Sequence, residues 1–254
     1  MEIRLEGQVA IVTGSSQGIG RAAAELLAEC GAAVVLNSHS SRDKIEAVAE
    51  DIRAKGGKVI AVAADASDRV EAQKLVDAAI QLGGRIDILV NNTGGLVKRI
   101  PVAEFDEAHF QKVIDINLRS AFMMSHLVLP HMKKQKFGKI INLSSQAAHD
   151  GGGAGSAVYS ASKGAIWTFT KSLAKEVAPF QIEVNCISPG FIGQTLFHDT
   201  FTAKEVHEKV KTLVPLGRHG TPDDVARLIL FVASDLCRYI TGQSFEINGG
   251  LLMY

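Results

Sequence analysis

The sequence has few of the residues that form covalent or metal cross-links. Its 254 residues include only three cysteines, and Cys30, Cys186 and Cys237 lie far apart in the chain. This spacing suits neither a disulfide framework nor the paired cysteines of a zinc site. The eight histidines contain no His-x-x-x-His pair, so a metalloenzyme is a weak hypothesis. We expect reduced core cysteines and no metal.

The chain also lacks net charge and long apolar runs. Lys plus Arg and Asp plus Glu both total 27, so no basic field attracts nucleic acid or an anionic membrane. No run approaches the roughly 18 apolar residues of a membrane helix, and Met1 to Gly7 do not resemble a signal peptide. These absences predict a soluble cytoplasmic protein whose partners are small polar molecules, with no nucleic acid and no membrane.

What the sequence does contain is a regular alternation of short β-branched runs and longer amphipathic stretches. The predicted strands are Val9 to Val12, Val34 to Leu36, Val59 to Val62, Ile88 to Val90, Ile140 to Leu143, Ile182 to Ile187 and Phe245 to Ile247. Helical periodicity covers Ile19 to Glu29, Arg42 to Ala54, Val70 to Leu82 and Ala157 to Ala178. This alternation is typical of βαβ crossovers. We predict an α/β fold, a Rossmann-like, doubly wound, seven-stranded parallel sheet with helices on both faces.

The domain organisation follows from the even composition. There is no composition break, repeat or low-complexity linker, so residues 1–254 are predicted to form a single domain. The stretch of about 190–214 has no evident strand partner, which makes it the candidate for a substrate lid. Thr221-Pro-Asp-Asp224 follows it and has the pattern of a capped helix start with proline at the first position.

A glycine-rich loop, Thr13-Gly-Ser-Ser-Gln-Gly-Ile-Gly20, joins the first strand to a helix. Its glycines permit a tight turn and let backbone N–H groups approach a pyrophosphate, whose charge the helix N-terminus favours. A loop of this kind without a ligand is the alternative, but its place after the first of several βα units favours a nucleotide. The predicted contacts are Gly14, Ser16, Gln17, Gly18, Ile19 and Gly20.

A tyrosine and a lysine four residues apart form the second motif. On a helix, Tyr159 and Lys163 project from the same face, one turn apart. An ammonium group favours a nearby phenolate, so we expect a lowered pKa for Tyr159 and proton exchange with a substrate oxygen near neutral pH. The pair alone favours an ordinary aromatic residue and lysine on a half-exposed helix, and the other motifs reverse this in favour of chemistry.

With these motifs the chain resembles the classical short-chain dehydrogenase/reductase family over nearly its whole length. The matching features, in order, are the Thr-Gly-x-x-x-Gly-x-Gly loop, Asn91-Asn-Thr-Gly94, Asn117, Ser145, the Tyr159/Lys163 pair and Pro189-Gly190. The resemblance implies hydride transfer between a nicotinamide and a carbonyl carbon. In that scheme Tyr159 protonates the oxygen, Lys163 holds the nicotinamide ribose, Ser145 binds the carbonyl oxygen and Asn117 completes a water relay to Lys163.

The same resemblance implies further cofactor contacts and an assembly. The contacts are Asp65, Ala66, Asn91, Gly94, Tyr159, Lys163, Pro189, Gly190 and Ile192. Several of these follow the carboxyl end of a predicted strand, which is where open α/β sheets bind ligands. Asp65 and the nearby Asp68 fit turn and helix-cap positions equally well. Family members commonly form homotetramers, and Asn248 to Tyr254 is a candidate interface segment.

Three departures from the family pattern affect the site. Ser145 and Tyr159 are separated by one residue more than usual, within Gly151-Gly-Gly153, and Ser144 is an alternative source of the hydroxyl. Gln194 stands where the family has a cofactor-contacting threonine. Thr195 is the next residue along.

The end of the second strand indicates which nicotinamide cofactor is used. No carboxylate for a ribose 2′-hydroxyl appears before Asp43, because Ser38 occupies the usual acidic position. His39, Ser40 and Arg42 are predicted to hold a 2′-phosphate instead. Against this, Arg42 fits the first exposed position of a helix, and Gln17 replaces a base found in many NADP-binding relatives. We predict NADP, with NAD as the alternative.

The expected pocket residues are mostly polar, which favours a small carbonyl or alcohol substrate. They are Lys98, Arg99, Gln146, His149, Asp150, Gln194 and His198. The segments Thr93 to Arg99 and Gly151 to Gly155 are similar to those of relatives that reduce keto-sugar acids. Reduction of a 3-oxoacyl-carrier-protein is the alternative. For Lys98 and Arg99 by themselves, solvated loop charges are slightly favoured over a clamp for a substrate carboxylate. A noncatalytic NADP-binding sensor or scaffold is the third hypothesis, and the intact Ser145, Tyr159 and Lys163 argue against it.

Overall fold

A computed structural model describes residues 2–195, 200–201 and 204–253. It contains a seven-stranded parallel sheet in the order β3-β2-β1-β4-β5-β6-β7. The strands are β1 Val9–Val12, β2 Ala33–Ser38, β3 Val59–Ala63, β4 Ile88–Asn91, β5 Gly138–Leu143, β6 Ile182–Pro189 and β7 Ser244–Ile247. Every predicted strand lies within an observed one, so the predicted fold class is confirmed.

Helices connect the strands, and the four helical spans predicted from the sequence agree with observed helices to within a residue at each end. They are α1 Gly18–Glu29, α2 Arg42–Ala54, α3 Arg69–Gly83, α4 Glu107–Ile114, α5 Ser120–Gln135, α6 Ala147–Asp150, α7 Ala157–Val177, α8 Lys204–Leu213 and α9 Pro222–Ala233. Helix α9 begins as expected, because the Thr221 hydroxyl accepts from the Asp224 N–H while the Asp224 carboxylate accepts from the Thr221 N–H. Helix α8 lies within the stretch of about 190–214 that was predicted to form the lid.

The sheet is covered on both faces because successive strand residues point in opposite directions. Ala10 and Val12 of β1 pack in a core with α1, α2 and α9. Val9 and Ile11 pack in a second core with α3, α5 and α7. The three cysteines are free thiols, with Cys186 and Cys237 buried and Cys30 half-buried. With both faces occupied, the carboxyl edge of the sheet is the place for a ligand.

The point where strand order reverses lies between β1 and β4. There the Asn92 side-chain amide donates to the carbonyl oxygens of Thr13 and Gly14, each at 3.0 Å. The Thr13 hydroxyl accepts from the N–H groups of Asn92 and Thr93, again at 3.0 Å. These bonds hold the loops after β1 and β4 together at the crevice where doubly wound sheets bind nucleotides.

Candidate active site

A cleft of about 520 Å³ opens at this carboxyl edge. Its walls come from the loops that follow β1, β4, β5 and β6, together with the start of α7. Most of the predicted site residues meet in it: Gly14, Gln17, Gly18, Ile19, Gly20, Gly94, Ser145, Tyr159, Lys163, Pro189, Gly190 and Ile192 all line the cleft. Segments spread over most of the sequence thus form one site.

The glycine loop has the shape needed to hold a pyrophosphate. Gly14 and Gly18 have φ angles of +62° and +56°, which favour glycine. A Cβ atom on Gly20 would lie 2.4 Å from the Gly14 carbonyl oxygen, so the helix packs against the loop only with glycine here. Gln17 precedes helix α1 and makes no side-chain bond to its N–H groups. The residues present therefore fit a dinucleotide, although Ser16 lies outside the cleft wall.

Tyr159 and Lys163 are brought together on α7 and are both buried, at 9% and 4% exposure. The Lys163 ammonium lies 5.9 Å from the centre of the Tyr159 ring and donates to the Leu143 carbonyl oxygen at 2.8 Å. Burial lowers the pKa of Lys163 to about 8. Burial also raises the pKa of Tyr159, and a hydrogen bond with Ser145 only partly opposes this. The expected lowering of the phenol's pKa is therefore wrong, because desolvation favours the neutral form of both groups.

The two serines after β5 have different partners. Ser145 is hydrogen-bonded to Tyr159 and accepts from the Ala147 N–H at 3.2 Å. The Ser144 hydroxyl is buried and donates to the Lys163 carbonyl oxygen at 2.8 Å. Ser145 is thus the hydroxyl beside the phenol, and the extra residue in the following loop does not displace it.

Asn117 lies in a π-helical turn, Asp115–Arg119, between α4 and α5. Its side chain accepts from the Gly95 N–H at 3.0 Å and donates to the carbonyl oxygens of Gly95 and Val113 at 2.8 and 2.9 Å. A Cβ atom on Gly94 would lie 2.6 Å from the Asn117 amide oxygen and 2.8 Å from the Lys163 ammonium nitrogen. Asn117 and Lys163 therefore approach the same point of the loop after β4.

A second group of predicted residues lies at the carboxyl ends of β2 and β3. Ser38 is buried and its hydroxyl accepts from the Ser41 N–H at 3.2 Å, while His39, Ser40 and Arg42 are exposed. Arg42 is the first residue of α2. Ala66, which follows β3, is buried. These residues lie outside the cleft wall, at the carboxyl ends of β3 and of β2, the strand that pairs with β1.

Asp65 holds a turn and also faces His39. One oxygen accepts from the N–H and hydroxyl of Ser67 at 2.8 and 2.7 Å, and the other lies 3.8 Å from His39 Nδ1. Burial opposes ionisation of Asp65, but these Ser67 hydrogen bonds and the nearby His39 lower its pKa overall. Asp68 caps helix α3.

Asn91 does not face the cleft. Its amide donates to Asn142, Ser125 and the Ala121 carbonyl oxygen, and the neighbouring Asn92 lines the cleft instead.

One contact of the glycine loop after β1 was not predicted from the sequence. Asn37 accepts from the Gly14 N–H at 3.4 Å and donates to the Ala64 carbonyl oxygen. The sequence signal for this contact was Asn37 itself, a polar residue that follows three apolar residues in a buried strand.

The polar pocket residues are only partly brought together. Arg99, Gln146 and Asp150 line the cleft, whereas Lys98 does not. The expectation for His149 is wrong: its ring packs on Trp167 and lies 3.3 Å from a Glu246 oxygen, away from the cleft. The α6 turn directs it towards β7.

The residues after β6 also differ from the expectation. Gln194 has a φ of +58°, and this turn brings Thr195, not Gln194, into the cleft wall. The Thr195 hydroxyl donates to the Ile192 carbonyl oxygen at 2.9 Å. His198 lies outside the described residues.

Neither a metal site nor a membrane-spanning helix is found in the described part of the chain. No group of three or more His, Cys, Asp or Glu residues there is placed to hold a metal ion. No helix there has the length and apolar character needed to cross a membrane.

Comparisons with known proteins agree with this geometry. A family profile described as enoyl-(acyl carrier protein) reductase matches residues 14–252. The chain is 43% identical to an uncharacterized oxidoreductase of Methylorubrum extorquens, covering 98% of this chain and 99% of the relative. It is 39% identical to a 3-oxoacyl-(acyl-carrier-protein) reductase of Aquifex aeolicus, covering 99% and 100%.

Two solved structures are similar over the whole chain. A short-chain dehydrogenase/reductase of Brucella melitensis, described as a glucose/ribitol dehydrogenase, is 33% identical with a TM-score of 0.91, covering 100% of both chains. A putative gluconate dehydrogenase of Agrobacterium tumefaciens is 33% identical with a TM-score of 0.93, covering 100% and 99%. Sequence and structure thus lead to one conclusion: the chain belongs to the short-chain dehydrogenase/reductase family, oxidoreductases that use a nicotinamide cofactor.

Proposed function

We propose that the protein uses NADPH to reduce a small polar ketone or aldehyde that carries a carboxylate, such as a keto-sugar acid. The observation that carries the substrate proposal is Arg99, a cation in the wall of the cleft that holds Ser145 and Tyr159. A guanidinium binds a carboxylate through parallel hydrogen bonds, and this fixes the orientation of the rest of the molecule. The carbonyl then lies beside the two hydroxyl groups.

The roles of the catalytic residues follow from their neighbours. The bound nicotinamide supplies the hydride. Tyr159 keeps its proton at neutral pH because burial raises the pKa of its phenol, so it serves as the general acid for the carbonyl oxygen. Ser145, hydrogen-bonded to that phenol, binds the same oxygen. Lys163 lies between the Leu143 carbonyl oxygen and Gly94, and in this proposal it would hold the nicotinamide ribose. Asn117 acts through its neighbours Lys163 and Gly95 and is a positioning residue.

The preference for NADP is proposed from the end of β2. Ser38 replaces the carboxylate that binds a ribose 2′-hydroxyl, and its own hydroxyl is within hydrogen-bond distance of Ser41. His39, Ser40 and Arg42 are exposed around that position. Arg42 also begins helix α2, whose N-terminus adds a favourable field for a phosphate.

Arg42→Ala tests the cofactor, with Arg53→Ala in the last turn of the same helix as the matched control. We expect the variant to bind NADPH about tenfold more weakly or worse, since a charge-assisted hydrogen bond contributes roughly 1.5–3 kcal/mol. Its affinity for NADH should not change. Equal titration of the wild type by both cofactors would show that NADP is not preferred.

Arg99→Ala tests the substrate, and its neighbour Lys98→Ala is the control because Lys98 lies outside the cleft wall. The substrate pair is keto-gluconate and its methyl ester, which differ in charge. Loss of Arg99 should raise KM for the acid about tenfold or more and leave KM for the ester unchanged, because only the acid forms the charge-assisted bonds. Lys98→Ala should affect neither. If the acid and the ester respond alike to Arg99→Ala, the carboxylate proposal is wrong.

The sequence relatives favour a second candidate. Several, at 37–40% identity over nearly the whole chain, are 3-oxoacyl-(acyl-carrier-protein) reductases. An acetoacetyl thioester added to the same assay discriminates between the candidates. A higher kcat/KM for the thioester, with no effect of Arg99→Ala, would assign the protein to acyl-chain reduction. The absence of cofactor oxidation with every carbonyl compound would favour the noncatalytic sensor.

The single domain, the homotetramer and the cytoplasmic location stay predictions.

A further inference from the structure

The segment that carries Arg99 contains a strained turn. Val97 has a φ of +65°, and the turn is closed by a hydrogen bond from the Lys98 N–H to the Leu96 carbonyl oxygen at 2.7 Å. A β-branched residue rarely adopts positive φ, and a three-residue turn of this hand is strained. The side chain of Val97 is 42% exposed, so tight packing does not account for a valine here.

The other non-glycine residues with positive φ in the described part of the chain are of a different kind. Lys136, Gln181 and Gln194 have unbranched side chains. Lys136 and Gln181 also follow the last residue of a helix, where a left-handed residue is common. Val97 ends no helix and carries a branched Cβ atom. Its conformation must therefore be imposed by its neighbours.

Contacts on the N-terminal side hold the start of the turn. Gly95 exchanges two hydrogen bonds with the Asn117 side chain, at 3.0 and 2.8 Å. Leu96 is only 1% exposed and packs against Val113 and Tyr159. These contacts hold the start of the turn against α4, α7 and the π-helical turn.

Contacts on the C-terminal side of the turn involve the loop of residues 151–155, between α6 and α7. The Ile100 N–H donates to the Gly155 carbonyl oxygen at 3.0 Å, and Arg99 Nη1 donates to the Ala154 carbonyl oxygen at 3.0 Å. A Cβ atom on Gly153 would lie 3.1 Å from Arg99 Nη1. The guanidinium therefore packs closely against this glycine. Backbone strain persists where surrounding contacts over-determine the conformation, as they do here.

We propose that Val97 is a positioning residue, whose strained turn places Arg99 in the cleft wall and Lys98 outside it, and that the contacts of Arg99 hold the strain. The inference rests on the proposed function, in which Arg99 binds the substrate carboxylate. The turn has a strained state with Arg99 in the cleft and a relaxed state without it. A carboxylate bound to Arg99 favours the strained state, whereas a neutral substrate favours neither.

Thermal unfolding of a double-mutant cycle tests the strain without any substrate. Glycine adopts positive φ without steric cost, so Val97→Gly relieves strain in the wild type. In an Arg99→Ala background the side-chain contact that helps to hold the strain is lost, so the turn relaxes and there is less strain to relieve. We expect Val97→Gly to shift Tm upward by about 2–4 °C more in the wild type than in Arg99→Ala. Val97→Ala removes the two methyl groups but keeps Cβ, and its shifts should be equal in the two backgrounds.

Kinetics separate positioning from a merely structural turn. Relief of strain raises the population of the arrangement that binds the acid, so Val97→Gly should lower KM for keto-gluconate roughly threefold or more. KM for the methyl ester should not change. An unchanged or higher KM for the acid, equal Tm shifts in both backgrounds, or an alanine variant that behaves like the glycine variant would each overturn the inference. The proposed function fails separately, if Arg99→Ala treats acid and ester alike.

Discussion

Replacing Gly94 by alanine tests how closely the loop after β4 must approach the catalytic groups. The new methyl carbon would lie 2.6 Å from the Asn117 amide oxygen and 2.8 Å from the Lys163 ammonium nitrogen, both too short for contact. Neither group moves away freely. Asn117 is hydrogen-bonded to Gly95 and Val113, and Lys163 is hydrogen-bonded to the Leu143 carbonyl oxygen. The alanine must therefore displace one of them or the loop.

The size of the effect follows from this crowding. Overpacking of a buried site costs about 1–3 kcal/mol, which lowers Tm by about 2–12 °C for a chain of this length. A displacement of about 1 Å at a reacting centre costs about 100-fold in rate. Gly95 provides the matched control, because a Cβ atom there would lie 3.8 Å from Ile116, an ordinary contact. Neither glycine has a positive φ, so both positions accept alanine conformationally.

The assay is NADPH oxidation with a carbonyl substrate, together with thermal unfolding of each variant. We expect Gly94→Ala to lower kcat/KM about 100-fold and to reduce Tm. Gly95→Ala should stay within about threefold of the wild type, since its new methyl group meets only an ordinary van der Waals contact. Equal losses in the two variants, or normal turnover in Gly94→Ala, would refute the close approach of Gly94 to Asn117 and Lys163.

Two further predictions concern the buried tyrosine and lysine. Tyr159→Phe should lower turnover about 100-fold or more while NADPH affinity is retained, because only the proton donor is lost; near-normal turnover would exclude the role. Burial lowers the pKa of Lys163 from 10.5 to about 8, so between these values the folded chain binds fewer protons than the unfolded chain and stability rises with pH. The Tm of the wild type should therefore rise relative to inactive Lys163→Met between pH 8 and pH 10.5, and a constant difference would contradict the burial of a neutral amine.

The architecture of the protein is readable from its sequence because the relevant signals are local. Strands buried on both faces appear in the sequence as short β-branched runs. Strand β1, for example, begins and ends at the predicted residues, Val9 and Val12. The start of the helix at Pro222 is predicted by the capping pattern of Thr221 and Asp224. Glycines such as Gly14 and Gly18, which adopt positive φ angles that other residues rarely adopt, identify the glycine loop after β1.

The direction of individual side chains in the site was not readable in this way. Lys98 and Arg99 are adjacent and similar, yet only Arg99 lines the cleft, and the segment that carries them is held by contacts with Asn117, Ala154 and Gly155. His149 follows Ser145 closely but packs on Trp167 and Glu246. Each outcome depends on segments far away in the chain.

The electrostatics of the site also came only from the tertiary structure. Helical spacing alone places Tyr159 and Lys163 on one face and suggests that the ammonium lowers the pKa of the phenol. In the folded chain both side chains are buried, so desolvation raises the pKa of Tyr159 and lowers that of Lys163. Sequence spacing determines that Tyr159 and Lys163 are neighbours. The extent of their desolvation is determined by the loops after β4, β5 and β6, which pack around them only in the folded chain.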